Sequence, residues 1–186
     1  RDLFAIGNYL GVHATTLQQM IRWTLENRSH STGIREGDMF LLNDPWVGAA
    51  HQNDISILCP IFVDGTLFAW SGTTLHAVDV GGVNTGSFCV DADDVFSEGM
   101  AVPPIRLVRD GELQADVEDS FLRRTRVPPL VALDIRAMIA ANNVATAGLH
   151  DAVRQYGAEV VHATMAQRID YTETQLRDRL RQLPDG

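Results

Sequence analysis

The sequence lacks the features of several large functional classes. It contains 15 basic against 24 acidic residues, a formal charge of −9, so no surface for the phosphates of a nucleic acid is predicted. The nearest basic cluster, Arg123, Arg124 and Arg126, lies between an acidic segment and a Pro-Pro pair and is interpreted as a solvated patch. Cys59 and Cys89 are the only cysteines and show no Cys-x-x-Cys spacing, which favours free thiols in a reducing compartment.

Long apolar runs are also missing. No stretch reaches the roughly 18 to 20 apolar residues of a membrane span, and no basic-then-apolar leader precedes the rest of the chain, which opens on Arg1-Asp2. We therefore expect a cytoplasmic protein without membrane contact. The start without Met and the end on LPDG, a turn signal, indicate an internal part of a longer chain.

Apolar residues make up 45% of the chain, enough for a packed core, and their spacing changes along it. Helical spacing runs from about Ala14 to Asn27, after a short strand or loop, LFAIGNYLGV. The middle is β-like: the predicted strands are MFLLN, ISILCPIFV, TLFAWSGTTL and IRLVRDGEL. Asp64-Gly65 predicts a tight hairpin turn between the second and the third strand. Pro60 indicates that the second strand lies at a sheet edge or carries a bulge.

Helical spacing returns in the C-terminal third. The Pro-Pro pair that begins at Pro128 is typical of a helix start, and a second helix is predicted from Ala158 to Leu183. The predicted fold class is α+β, with an antiparallel, β-rich N-terminal two-thirds that carries a site on its loops, followed by a helical hairpin. Residues 1–126 would form the β-rich region with its N-terminal helix. Residues 127–186 would form a helical region packed on it, both within one larger domain.

One short segment, NDPWVGAAHQND, places metal-ligand side chains beside the predicted hairpin. His51 and Asp54 are three residues apart at the start of a strand, where a turn lets both side chains reach one ion. Asp54 lies ten residues before the Asp64-Gly65 turn, and His76, at the end of the opposite strand, lies eleven residues after it. Antiparallel pairing would set His76 almost opposite Asp54, and we predict that the three side chains converge.

Two imidazoles and one carboxylate form a donor set for a divalent metal, with Zn or Mn as the first candidates and Fe(II) as an alternative. Three protein ligands leave room for water or substrate. Asp44 and Asp79 are predicted as catalytic carboxylates that orient or deprotonate a water, or as further ligands. A single His at a strand end is more often a plain surface or core residue, so the hypothesis depends on the three together.

Four longer motifs occur along the chain in the order found in one known family. They are GDMFLLNDPWVGAAHQNDISILCPIFVDGTLFAW, then LHAVDVGG, EGMAVPPIRLVRDGEL and DYTETQLRDRLRQLPDG, and together they resemble the hydantoinase B/oxoprolinase family. The resemblance runs through nearly the whole chain, and only the first dozen residues match weakly. The NDP…H-x-x-D…H-x-x-D-x-G-G series is the specific part of this resemblance. Members of that family are typically much longer, so the resemblance implies an internal segment.

The resemblance implies an ATP-dependent, metal-containing enzyme with two kinds of subunit. An A-type partner of the actin-like ATPase class would phosphorylate the substrate with ATP. The B-type subunit, to which this chain is similar, would complete the reaction at a metal within a hetero-oligomer, opening a cyclic amide such as a hydantoin, 5-oxoproline or a lactam. The positions that hold the metal in family members match His51, Asp54 and His76 of this sequence.

Two alternatives stay open. The residues around Asp44-Pro45-Trp46 and His51-Gln52 are closer to the acetone and acetophenone carboxylase branch, so the chain is alternatively an alpha-type subunit of a ketone carboxylase. The second alternative is a non-catalytic, metal-stabilised docking domain, whose apolar helical hairpin contacts a partner subunit.

Overall fold

The computed structural model describes residues 3–7 and 11–184. Nine helices and strands follow one another in this described part of the chain. They are α1 (Val12–Arg28), β1 (Met39–Leu42), β2 (Asp54–Val63), β3 (Thr66–His76), β4 (Ile105–Arg109), β5 (Glu112–Leu113), α2 (Ala115–Leu122), α3 (Pro128–Tyr156) and α4 (Ala158–Leu180).

The five strands form one antiparallel sheet in the order β3-β2-β1-β4-β5. Two Asp-Gly turns join its hairpins, and both residues of each turn have positive φ: 50° and 74° at Asp64 and Gly65, 51° and 81° at Asp110 and Gly111. Positive φ at both central residues is the geometry that matches the twist of the flanking strands, and Asp-Gly tolerates it. The predicted hairpin and the α+β fold class are therefore confirmed.

The prediction of an edge position for the second strand is wrong. β2 lies between β1 and β3, but β1 is short, and Pro60 lies beyond the last residue that pairs with it, since that pair joins Phe40 to Leu58. The alternative, a bulge, is confirmed one residue further on, because the register with β3 shifts between Ile61 and Phe62. Pro60 thus occupies a part of β2 that β1 leaves unpaired.

Helices cover both faces of the sheet because apolar side chains alternate along β1. Phe40 and Leu42 pack with Met20 of α1 on one face. Leu41 points to the other face, where it joins the larger core with Ile135 of α3. The sheet is thus the middle layer between α1 and the pair α2 and α3.

A buried amide fixes α3 on β2 and β3. Asn142 is fully buried, and its side-chain NH2 donates to the Ile57 carbonyl at 3.2 Å and to the Thr73 hydroxyl at 3.1 Å. Its side-chain carbonyl accepts a hydrogen bond from the Ser71 hydroxyl at 2.7 Å. All three partners lie on the hairpin that carries the candidate site, so α3 supports this hairpin from behind.

The helices lie close to where the sequence predicts them. α1 extends the predicted range by two residues at its start, α3 has proline at its first positions, and Gly157 separates α3 from α4. Val161 is the only α4 residue buried in the described part of the chain. The short strand or loop predicted over residues 3–12 has neither helix nor strand at residues 3–7, while residues 8–10 and the last two residues of LPDG lie outside the described residues.

By length and composition, α3 is long and apolar enough to cross a membrane, which the apolar runs of the sequence did not indicate. Four of its residues, Val131, Ile135, Met138 and Asn142, are buried against the rest of the protein.

Candidate metal centre

The register of the hairpin places two of the predicted ligands opposite each other. Asp54 is the first residue of β2, His76 is the last residue of β3, and the two are direct cross-strand partners. Side chains of such a pair project from the same face of the sheet. His76 Nδ1 lies 3.0 Å from Asp54 Oδ1. The predicted proximity of these two residues is confirmed.

The third predicted ligand comes from the turn that leads into β2. The Asp54 N–H donates to the His51 carbonyl at 3.0 Å, which closes this turn. His51 Nε2 then lies 3.4 Å from Asp54 Oδ2. The Asp54 side chain is nearly buried, whereas the imidazoles of His51 and His76 are 28% and 35% exposed. The carboxylate thus forms the base of the cluster and the imidazoles face solvent.

The spacing of the donor atoms fits a single cation. One ligand atom from each of His51, Asp54 and His76 lies within 4.8 Å of the others. Zinc–ligand bonds of about 2.0–2.2 Å place two ligand atoms of a tetrahedral ion about 3.4 Å apart, so small side-chain rotations bring all three to one ion. Among the described residues this is the only group of three or more His, Cys, Asp or Glu side chains with such spacing.

Buried amide side chains hold the turn in place, and the sequence patterns did not identify them. Asn43, at the end of β1, donates to the Gln52 carbonyl at 2.8 Å and accepts from the Val102 N–H at 2.8 Å. Asn53 bonds to both backbone groups of Ala77, one through its carbonyl and one through its side chain. These bonds hold the backbone next to His51 and His76 in place.

Asp44 caps a backbone turn that precedes the site. Its carboxylate accepts a hydrogen bond from the Trp46 N–H at 2.8 Å, and its carbonyl accepts from the N–H groups of Val47, Gly48 and Ala49. A Cβ on Gly48 would lie 3.0 Å from the Gln19 Cβ of α1, so the turn packs closely against that helix. The structure does not include Asp44 in the group of three, and its predicted catalytic role stays a prediction.

Asp79, which is nearly buried, forms an ion pair with Arg126, whose side chain is 41% exposed. The guanidinium donates to Asp79 Oδ2 at 2.7 Å, and the N–H groups of Arg126 and Gly81 donate to Oδ1. Burial by itself raises the pKa of Asp79, but the hydrogen bonds from Arg126 and Gly81 outweigh burial and hold the pKa below its ordinary value. Arg126 is thus exposed to solvent and also paired with Asp79, and the predicted catalytic role of Asp79 stays a prediction.

An aromatic side chain that the sequence patterns did not single out lies over the imidazoles. The ring centroid of Phe88 is 5.9 Å from that of His51, nearly parallel at 16°, and 5.1 Å from that of His76. Phe88 ends the Gly-rich segment DVGGVNTGSF. Its only sequence signal is this position after a segment rich in turn residues.

The other histidines lie away from the cluster. His150 Nε2 is 2.9 Å from the Phe62 carbonyl, and His162 contacts the Phe68 ring edge-on. His13 is buried on α1, and His30 is exposed after that helix. None of them joins the group of three that the described residues form.

The arrangement defines a class of protein: an α+β domain whose central hairpin presents two imidazoles and one carboxylate at its open end. The chain belongs to the hydantoinase B/oxoprolinase family, whose model matches residues 1–186. This confirms the resemblance in the sequence motifs.

Three relatives show the range of the family. The chain is 32% identical over 183 residues to the B-type subunit of a putative D-/L-hydantoinase of Pseudomonas sp. (strain NS671), covering 94% of this chain and 31% of that protein. It is 29% identical over 181 residues to the acetophenone carboxylase delta subunit of Aromatoleum aromaticum, covering 97% and 26%. The crystal structure of the ATP-dependent caprolactamase from Pseudomonas jessenii superposes with a TM-score of 0.85 at 27% identity, covering 94% and 30%.

These relatives are named as hydrolases of cyclic amides and as a carboxylase. The chain spans less than a third of the length of each of them.

Proposed function

We propose that the chain is the metal-binding catalytic part of a B-type subunit of an ATP-dependent cyclic-amide hydrolase. The observation that carries the proposal is the convergence of His51, Asp54 and His76 at the open end of one hairpin. The hydantoinase and caprolactamase relatives support a cyclic amide as the substrate class. An A-type, actin-like ATPase subunit would supply the phosphorylated substrate within a cytoplasmic hetero-oligomer.

The chemistry of the donor set supports a catalytic site more than a structural one. Structural zinc sites normally have four protein ligands, whereas catalytic sites have three and keep one position open. A divalent ion, Zn or Mn first and Fe(II) as the alternative, would polarise the carbonyl group and lower the pKa of a bound water. His51 and His76 would hold it from the solvent side, and the nearly buried Asp54 would hold it from below.

Two carboxylates outside the ligand set have separate places in this proposal. Asp79, whose pKa is lowered by Arg126, is a weak base near neutral pH, so we assign it first to holding the loop that carries Phe88. Asp44 stabilises the turn that leads to His51. Proton transfer by Asp79 or Asp44 to or from a bound water stays a prediction.

Metal analysis of the full chain tests the proposal. Wild-type protein should contain close to one tightly bound divalent ion, and His51→Ala should lose most of it while remaining folded. His30→Ala is the matched control, because His30 is exposed and lies outside the cluster. Equal metal content in the two variants and the wild type would overturn the proposed site.

The ketone carboxylase is the second candidate, because the acetophenone carboxylase relative matches almost as well as the hydantoinase. Consumption of ATP, measured with the ATPase partner present, separates the two reactions. A hydrolase should consume ATP with a hydantoin or lactam alone, and a carboxylase should require a ketone together with bicarbonate. Metal binding without any such turnover would favour the non-catalytic docking domain.

A further inference from the structure

The outer contacts of the two imidazoles differ from those of most metal ligands. A histidine that binds a metal ordinarily donates its other ring N–H to a carboxylate or a backbone carbonyl, and this bond fixes the orientation of the ring. Within the described part of the chain, the only hydrogen-bond or ion-pair partner of His51 and of His76 is Asp54, a member of the cluster itself. Their outer contact is a ring, that of Phe88.

Phe88 contacts both imidazoles at once. It stacks on His51 with an interplanar angle of 16° and lies tilted by 39° against His76, while the two imidazoles are 4.8 Å apart. Phe88 nevertheless remains 68% exposed, so it contributes little to either hydrophobic core. The need to bury an apolar side chain therefore does not explain its place at the cluster.

The loop that carries Phe88 is anchored at several points. The Arg126 guanidinium, which pairs with Asp79, also donates to the carbonyls of Gly82 and Asn84. Further along, the side chain of Gln52, next to His51, donates to the Val95 carbonyl. The segment is thus tied both to the start of α3 and to the turn of the site. This gives Phe88 a defined position, as an orienting residue requires.

We propose that Phe88 is a positioning residue of the metal centre. Its ring restrains the rotation of the His51 and His76 imidazoles, in place of the second-sphere hydrogen bonds that usually do so. The inference rests on the proposed metal site and deepens it by adding a residue that is not itself a ligand. Without the ring, both imidazoles rotate freely in the metal-free protein. Metal binding must then order them, and the conformational entropy that they lose weakens the binding.

Titration of the metal-free full chain with Mn²⁺ alone tests the inference. We expect Phe88→Ala to raise the dissociation constant about tenfold, the lower end of the range for residues that orient metal ligands. Phe88→Tyr, which retains the ring, should keep the wild-type affinity. The thermal midpoint of the metal-free protein should stay unchanged in both variants because Phe88 is largely exposed.

Phe96→Ala is the matched control. Phe96 is a second aromatic residue on the connection between β3 and β4, 82% exposed and without a ring contact to either imidazole in the described structure. The Phe96→Ala variant should bind Mn²⁺ like the wild type. Wild-type affinity in Phe88→Ala, or an equal loss in Phe96→Ala, would refute the role of Phe88. Failure of the proposed site itself gives a different result, because the wild type would then bind Mn²⁺ no better than His51→Ala.

Discussion

At the scale of single residues, two carboxylates of the site region, Asp54 and Asp79, have different partners and are suited to different roles. Asp54 contacts the two imidazoles and, in the described structure, forms no ion pair with Lys or Arg, so its oxygens are available to a metal. Asp79 is neutralised by the Arg126 guanidinium and by two N–H groups. The first is therefore suited to binding an ion, and the second to stabilising the fold around it.

Asp79→Asn should destabilise the protein by about 2 kcal/mol at neutral pH, since charge-assisted hydrogen bonds to a buried carboxylate are lost. The folded-state pKa of Asp79 is below its ordinary value of 3.8, so its stabilisation is present above that value and disappears as the pH falls through the folded pKa. The difference in unfolding free energy between wild type and variant, measured by urea denaturation, should therefore shrink below about pH 4.

Asp151→Asn is the control for this experiment. Asp151 pairs with Arg154 on α3, but both side chains are well exposed, so little stability should be lost at any pH. A difference between wild type and Asp79→Asn that stays constant down to pH 2 would contradict the ion pair.

The proximity of the cluster residues could be predicted from the sequence, whereas the residues that surround the cluster could not. Counting residues from the Asp64-Gly65 turn predicts that His76 lies almost opposite Asp54, and His51 is three residues from Asp54 in the sequence. The places of Phe88 and Arg126 depend on the path of a long loop without helix or strand, which no periodicity encodes. The same limit explains why the sequence does not predict the pairing of Arg126 with Asp79.

At the scale of elements, the β2–β3 hairpin determines the geometry of the site. A slip of one residue would move His76 to the opposite face from Asp54. The Asp64-Gly65 turn and the one-residue register shift between Ile61 and Phe62 together set this register in a hairpin ten pairs long. The position of the metal ligands therefore depends on a turn remote from them in sequence.

Gly65→Ala should destabilise the protein by about 1 kcal/mol, because φ at Gly65 is +74° and a Cβ is strained there although nothing lies near it. Gly148→Ala is the matched substitution. Gly148 is helical, has open space around it and negative φ, so alanine should stabilise α3 by about 0.5–1 kcal/mol. Thermal unfolding of the two variants measures both effects, and a shift of the same sign in both would disagree with this account of the turn.

Element types followed closely from sequence patterns because turn chemistry and helix starts are local. Asp64-Gly65 and the Pro-Pro pair at Pro128 gave a hairpin and a helix start where the structure has them. Strand order is not local. Pro60 indicated an edge strand, but the shortness of β1 lets an interior strand tolerate proline. The length of a neighbouring strand is information that the β2 segment does not contain.

At the scale of the whole molecule, the side chains of the candidate site are not members of either hydrophobic core. The larger core lies between the sheet and α3, and the smaller one between the sheet and α1. His51 and His76 belong to neither and are about one-third exposed. The fold therefore has sources of stability that do not depend on an ion.

Chelation should accordingly remove metal-dependent turnover from the assembled enzyme without unfolding it. We expect the far-UV circular dichroism spectrum of the full chain to stay the same after dialysis against a chelator. A zinc-finger-like domain would behave differently, because its folding free energy comes from the metal. Loss of secondary structure on chelation would favour the metal-stabilised docking domain over the catalytic role.

The most direct measurement is an anomalous-difference map from crystals of the full chain grown with Mn²⁺. The account predicts a strong peak within about 2.0–2.3 Å of His51 Nε2, of a carboxylate oxygen of Asp54 and of a ring nitrogen of His76, with at least one coordination position not filled by protein. A strongest peak bonded to other residues, with these three side chains left without an ion, would contradict it.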